Sequence, residues 1–260
     1  MNKEKPTKDS FVDLIASTWD DCYGEKDTDA VDFYLKQFSA ERPLTGSTLD
    51  VGCGTGRFLI PLLEKGYNGI GLDQSEEMLA ILHKKAEAIN KTAETSNATI
   101  QDFAGPGNFD GIVAFFLIFY LHQKGELADF FAKAHSLLAP GGVLFFNTYN
   151  PIALWQLSQW KFTETYKFGD GAGRVEYTFT PEDYLRAKAN MEDYRLISKA
   201  GACNFAYESR KVRFYTMTEL SLMLEKAGFT DIAHHTSLYG TPVTEDTTQG
   251  YVLFTVARKS

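Results

Sequence analysis

Apolar positions follow two rhythms along this chain, and the change comes near Pro151. Before it, short apolar runs alternate with stretches whose apolar residues recur every three or four positions. "STLDVG" reads as a strand, and "GRFLIPLLEKG" reads as a helix closed by Gly66. Pro61 forfeits a hydrogen bond inside that helix, so the helix either kinks there or starts late. "NGIGLD" is a strand, and "SEEMLAILHKKAEAI" is a helix with Ser75 as N-cap and acids in its first turn. "ATIQD" and "FDGIVAFFL" read as strands, "GELADFFAKAHSLLA" as a helix stopped by "PGG", and "GVLFFNTYN" as a strand. Strands alternating with helices predict a doubly wound α/β fold, a parallel sheet with helices on both faces. Upstream, residues 11–38 carry helical spacing interrupted by "YGEKDTD", behind a polar, frayed start.

After Pro151 aromatic residues appear in short alternating stretches, "WKFTETYKF", "RVEYTFT", "YRLISKA" and "CNFAYESRKVRFY". These predict antiparallel strands. The helical pattern returns at "MTELSLMLEKAGF", and "TDIAHHTSLY" with "GYVLFTVARK" reads as a closing hairpin whose last strand runs against the others. Residues 152–214 therefore form a β-rich insertion in a core made of 46–151 and 215–260.

"LDVGCGTGRF" raises the functional question: what lies so close to the main chain that side chains are absent at Gly52, Gly54 and Gly56. The dinucleotide spacing G-x-G-x-x-G fails at Arg57 from Gly52 and at Leu59 from Gly54, and no Gly-Lys-Ser/Thr triplet follows. A purely structural turn is the bland alternative. The acids downstream weigh against it. Asp73 ends the second strand, where an acid can accept from adjacent ribose hydroxyls. Asp102 is expected to end the third strand and to accept from an adenine amine while Phe103 covers a ring face.

"LDVGCGTG", "GLDQSEEML", "IQDF", "FDGIVAFF" and "LLAPGGVLFFN" follow one another in an order and spacing that resemble class I S-adenosylmethionine-dependent methyltransferases. The resemblance covers residues 45 to 150 and extends more weakly through "FYTMTELSLMLEKAGF". It implies a Rossmann-like seven-stranded sheet with an antiparallel last strand, and S-adenosyl-L-methionine as cofactor. It also implies that Asp50, Gly52 and Gly54 frame the methionine end and that Asp73 holds the ribose. Gln74, Met78, Asp102 and Phe103 would then surround the adenine, and main-chain groups near Phe116 would meet the amino-acid end. Tyr23 resembles the N-terminal aromatic that lids the cofactor in small-molecule members, which makes residues 1–45 a helical lid segment.

Composition narrows the acceptor. The chain has 260 residues, 44% of them apolar, and a net charge of −8. A long polyanion is repelled by such a surface, so nucleic acid is disfavoured and a small-molecule acceptor expected. The start is no signal peptide, and the longest apolar run, Ile112 to Leu121, is too short to span a bilayer. Three distant cysteines give neither a metal spacing nor a disulfide framework, which fits a cytoplasmic setting. No metal is expected.

His122 follows "FLIFYL", beside the expected methyl position, and is the candidate general base; a surface histidine opening a helix is the alternative. Tyr120 is the neighbouring candidate, against simple packing. Asn147, Tyr149 and Asn150 are candidate substrate-facing groups. Trp155, Trp160, Phe162, Tyr166, Tyr177, Phe179, Phe205 and Tyr207 form either an apolar wall over the cleft, the insertion's own core, or a homodimer contact. Arg174, Arg186, Arg195, Arg210 and Arg213 either meet an anionic substrate or solvate strand edges. The leading reading is methyl transfer to nitrogen or oxygen of a small molecule. A tRNA or protein methyltransferase and a non-catalytic cofactor-binding subunit are the rivals.

Overall fold

The computed structural model describes residues 8–39, 43–151, 161–168, 171–183, 187–199, 202–239 and 250–260. Seven strands, β1 Ser47–Val51, β2 Asn68–Leu72, β3 Glu94–Ser96, β4 Phe109–Ala114, β5 Leu138–Tyr149, β10 Phe229–His235 and β11 Val252–Lys259, form one sheet. Their order across it is β10-β11-β5-β4-β1-β2-β3. β1 through β5 pair in parallel, and β11 runs antiparallel to both β5 and β10.

Side chains alternate across the central strands and both faces are buried, as a doubly covered parallel sheet requires. On one face Leu49, Ile112, Leu144 and Phe146 pack with Phe130, Phe131, Leu220 and Leu224. These come from α5 (Glu126–Leu137) and α6 (Met217–Lys226). On the other, Val113, Val143 and Phe145 pack with Phe33, Leu59 and Leu82. Those belong to α2 (Thr28–Leu35), α3 (Leu59–Glu64) and α4 (Glu76–Ala88).

The sequence left two outcomes for Pro61, and α3 starts late. Pro61 is its third residue, inside the first turn where an N–H has no helical partner. The Arg57 carbonyl, which a residue-61 N–H could have met, accepts instead from Asp27 N at 2.8 Å. The helix closes through paired end bonds, Tyr67 N to Leu62 O and Gly66 N to Leu63 O. Ser75 caps α4 as expected, accepting from Met78 N at 3.2 Å.

Two strand expectations need correction. The third strand is Glu94–Ser96, not "ATIQD". Pairing with β2 stops at Leu72, whose partner is Ser96, so residues beyond have no ladder to join. Thr99 and Asp102 close a turn instead, Asp102 N to Thr99 Oγ1 at 3.2 Å and Thr99 Oγ1 to Asp102 Oδ2 at 2.7 Å. The fourth strand ends at Ala114 rather than running on through Leu117, because the chain turns left-handed at Phe116 (φ 51°) and enters a short 3-10 turn at Ile118–Tyr120.

The insertion forms a separate four-stranded antiparallel sheet, β6 Lys161–Phe168, β7 Gly171–Asp183, β8 Lys188–Lys199 and β9 Ala202–Arg213, paired in that order. The helix α1 (Lys8–Tyr23) touches β6, β9 and α4. It therefore lies between the inserted sheet and the main one.

Candidate active site

The carboxyl ends of β1, β2, β3 and β4 meet at one edge of the main sheet, the edge where doubly wound folds hold ligands. The turn after β1 is anchored from below, with Gly52 N at 2.7 Å and Cys53 N at 2.9 Å both donating to Leu72 O. Two of its glycines answer different demands. At Gly56 (φ 83°) a Cβ would stand 2.9 Å from Ile60 and Leu82, so this glycine lets α3 and α4 approach. At Gly54 (φ 53°) a Cβ would meet nothing within 4 Å. Its neighbourhood is open space, which is what a ligand lying on the main chain needs.

Asp73 is held at the end of β2. Its carboxylate accepts from Gly54 N and from Ser75 N, each at 2.9 Å. Burial pushes its carboxyl above the ordinary range, against those backbone donors. It thereby ties the glycine turn to the start of α4. Asp50, only 2% exposed, is the more unusual acid. Its Oδ2 is buried with no partner among the described residues. Burial, then the Asp73 charge, pushes its carboxyl up to about 8. A buried acceptor without a donor is costly alone and suits a cationic ligand group.

The end of α1 straps across this turn. Asp20 accepts from Thr55 Oγ1 at 2.6 Å and from Lys85 Nζ at 2.8 Å, and Lys85 also donates to Glu25 O. Trp19 and Tyr23, one helical turn apart, touch ring to ring at 4.6 Å. Trp19 and Met78, the latter at the start of α4, both pack on Ile15 and Ala206, while the Tyr23 hydroxyl bonds that of Tyr177 in the insertion. The sequence singled out Tyr23 but not Asp20 or Trp19, because the helical pattern at the chain start is weak.

The loop after β4 is pinned by a residue of β5. Asn147, 2% exposed, accepts from Phe116 N at 2.6 Å and stabilises its left-handed backbone. The sequence offered Asn147 as a substrate-facing group; it is buried behind the loop, and the Phe116 N–H is already used. Leu117 lies over Gly52, 3.7 Å from where a Cβ would be. The His122 Nδ1 lies 2.9 Å from Tyr120 O. A carbonyl only accepts, so Nδ1 carries a proton, and in the neutral imidazole Nε2 is then the basic nitrogen. Burial raises the Tyr120 hydroxyl, and the Arg210 guanidinium stands 5.2 Å over its ring.

Other expected residues sit elsewhere. Asp102 is exposed, six positions past the end of β3, so the premise that placed it under an adenine fails; Ser96 and Asn97 occupy that edge. Asn97 Nδ2 donates to Asp73 O at 3.1 Å. Phe103, 6% exposed, packs in the main core against Phe109 rather than standing at the strand end. Gln74 is exposed beside Asp73. In the insertion, Tyr166, Tyr177 and Phe179 alternate with outward residues onto the inner face, with Tyr166 5.7 Å from Tyr23. Phe205 and Tyr207 are on the outer face, Phe205 52% exposed, and form no wall over the cleft. Trp155, Trp160, Arg186 and the Phe162 side chain lie outside the described residues. Arg195 is 2% exposed and buried on the inner face rather than on a solvated edge. Among the described residues no helix is long and apolar enough to cross a membrane.

A family model described as a methyltransferase domain matches residues 23–234. The putative methyltransferase YqeM of Bacillus subtilis is 28% identical over 236 residues, 88% of this chain and 90% of that one. Among solved structures, an S-adenosylmethionine-dependent methyltransferase from Clostridium acetobutylicum superposes with a TM-score of 0.78 at 18% identity, covering 95% of this chain and 98% of the other. CalS10, an amino pentose methyltransferase from Micromonospora echinaspora solved with S-adenosylmethionine, superposes with a TM-score of 0.69 at 18% identity over the full length of both.

Proposed function

The chain belongs to the methyltransferase-domain family, and from that premise we propose that it transfers a methyl group from S-adenosylmethionine to nitrogen or oxygen of a small-molecule acceptor. The cofactor is S-adenosylmethionine, and the residues present suit it. The observation that carries the reading is the pairing of an open main-chain turn at Gly54 with a half-buried acid, Asp73, and a buried one, Asp50, which lacks a donor for Oδ2.

When bound, the cofactor supplies an electrophilic methyl carbon. The chain's own residues do the rest. Asp73 offers its remaining lone pairs to ribose hydroxyls, and Asp50 offers Oδ2 to a cationic group. Gly54 leaves the main chain approachable. With Nδ1 held by Tyr120 O, His122 Nε2 can take a proton from an acceptor hydroxyl or ammonium. The α1 strap and the inner face of the insertion enclose the edge and exclude water. Enclosure by Trp19, Tyr23 and Tyr177, together with a net charge of −8, favours a small acceptor over a polyanion.

Calorimetric titration with S-adenosylmethionine and its demethylated product, with NAD as control, tests the cofactor site. Binding of the two sulfur compounds and not of NAD is expected; no binding of either overturns the proposal. An acceptor screen read by mass spectrometry tests turnover. With a hydroxyl acceptor, His122→Ala should lower kcat while leaving cofactor affinity alone, and an unchanged rate removes His122 as base.

A further inference from the structure

The inner face of the inserted sheet is buried, yet it is not apolar throughout. At one end Phe179, Met191 and Val212 pack with Phe119 and Phe214. At the other Val175 and Ile197 pack with Cys22, and Ala206 with Ile15 and Trp19. Between them runs a polar belt. Tyr177, Asp193 and Glu208 stand side by side on β7, β8 and β9, flanked by Arg195 and Arg210 two positions along their strands. A charged belt between two apolar patches costs desolvation that apolar residues would avoid. It also faces the site, since the Arg195 guanidinium lies 5.5 Å from the Tyr23 ring and that of Arg210 5.2 Å from the Tyr120 ring.

Arg195 is the centre of the belt. Asp193 takes its Nε at 3.1 Å and its Nη2 at 2.9 Å, and Nη2 also donates to the Tyr177 hydroxyl at 3.2 Å. Trp19 and Tyr23 lie within 5.6 Å of the guanidinium carbon. One edge remains, and its Nη1 is buried with no partner among the described residues. The Tyr23 and Tyr177 hydroxyls bond each other, which consumes one of their two protons, while Tyr177 oxygen accepts from Arg195. The second hydroxyl proton has no acceptor among the contacts of the described residues. Two kinds of donor, a guanidinium N–H and a phenol O–H, thus converge without an oxygen to receive them.

We propose that Arg195, with the Tyr23–Tyr177 hydroxyl pair, is the seat for a carboxylate on the acceptor molecule. The proposal rests on the methyltransferase reading above and names the class of its substrate. A carboxylate has two oxygens for two donors, and Arg pairs with it through planar geometry. Asp193 and Glu208 offset the charge of the two arginines, so what is left is one guanidinium N–H and one phenol O–H, a match for the two oxygens of a carboxylate, whereas a phosphate ester would bury a third oxygen with no donor. The aromatic rings of Trp19, Tyr23 and Tyr120 would flank the rest of such a molecule.

The test uses the whole chain saturated with S-adenosylhomocysteine, titrated in a calorimeter with benzoate, benzamide and phenyl phosphate up to millimolar concentration. Benzoate should bind, and benzamide and phenyl phosphate each about tenfold more weakly or not at all. Arg195→Gln should weaken benzoate by about tenfold or more, and Tyr177→Phe by several-fold. Circular dichroism checks the fold; if Arg195→Gln does not fold, Tyr177→Phe decides. The proposal is overturned by absence of benzoate binding, by benzamide binding as tightly as benzoate, by phenyl phosphate binding more tightly, or by benzoate affinity that survives the deciding variant unchanged. Failure of S-adenosylhomocysteine itself to bind would instead strike the methyltransferase reading.

Discussion

Replacing Asp50 by asparagine tests the electrostatics of the cofactor edge directly. The wild-type carboxyl is buried beside Asp73 and pushed up to about 8 from an ordinary 3.8. In the unfolded chain it ionises near its ordinary value. Between those two values the folded protein holds one proton more than the unfolded one, so this group's contribution to stability is fully present below the unfolded value. It is lost as the pH rises through the folded value. The difference is roughly four pH units, and at 1.36 kcal/mol per unit the full loss comes to about 6 kcal/mol. The amide of the variant has no such proton. Urea denaturation of both proteins at steps from about pH 5 to about pH 9 reads the effect, because titrating groups that do not feel Asp50 cancel in the difference. The variant should gain on the wild type steadily as the pH rises. Parallel profiles would refute the reasoning. The same acid should give up its proton when a cationic ligand arrives. Calorimetry of S-adenosylmethionine binding near neutral pH, in buffers of different ionisation enthalpy, should therefore register proton release by the wild type and less by Asp50→Asn.

Three further predictions concern the supports of the site. Asn147→Ala strands the Phe116 N–H in a left-handed loop and should cost about 1–3 kcal/mol in urea denaturation, with a lower kcat; unchanged stability and kcat would show that the bond holds nothing. Asp20→Ala removes the acceptor for Thr55 and Lys85, so S-adenosylhomocysteine should dissociate faster by stopped flow, with about 1 kcal/mol lost in affinity. An unaltered off-rate would mean that α1 does not strap the turn. Gly54→Ala forces a side chain into left-handed backbone, a strain of about 1–2 kcal/mol, and puts a methyl where the ligand approaches. Its cofactor affinity should fall by more than the strain alone predicts, and an affinity equal to wild type would separate the turn from the ligand.

What could be read in the sequence is what depends on local chemistry. The turn from Gly52 to Gly56 and the acids at 50 and 73 announce themselves because positive φ and main-chain approach demand particular residue types at particular offsets. The limits of β3 and β4 do not. β3 is three residues long, and its length is set by how far β2 offers a partner, so "ATIQD" alternates like a strand and is still a turn. In "VAFFLIF" nothing marks Phe116 as left-handed, because its support is Asn147, thirty-one positions away. In the insertion the period of two is plain, but both faces carry aromatic residues. The buried one also carries Asp193 and Arg195, so burial could not be assigned from polarity.

The same local weakness hid the element that joins the two halves of the site. On α1, Asp20 holds the glycine turn through Thr55, and Trp19 and Tyr23 cover the Arg195 guanidinium. These residues lie within one turn of a helix, so they move as one body. A carboxylate seated at Arg195 would sit against the same helix that closes over the cofactor and hold that helix down. Coupling of this kind is reciprocal. Loosening α1 through Asp20 should therefore weaken the acceptor end as well as the cofactor end. With Arg195 proposed for the acceptor and Asp73 for the cofactor, a strap that contacts both ends would make their affinities depend on each other.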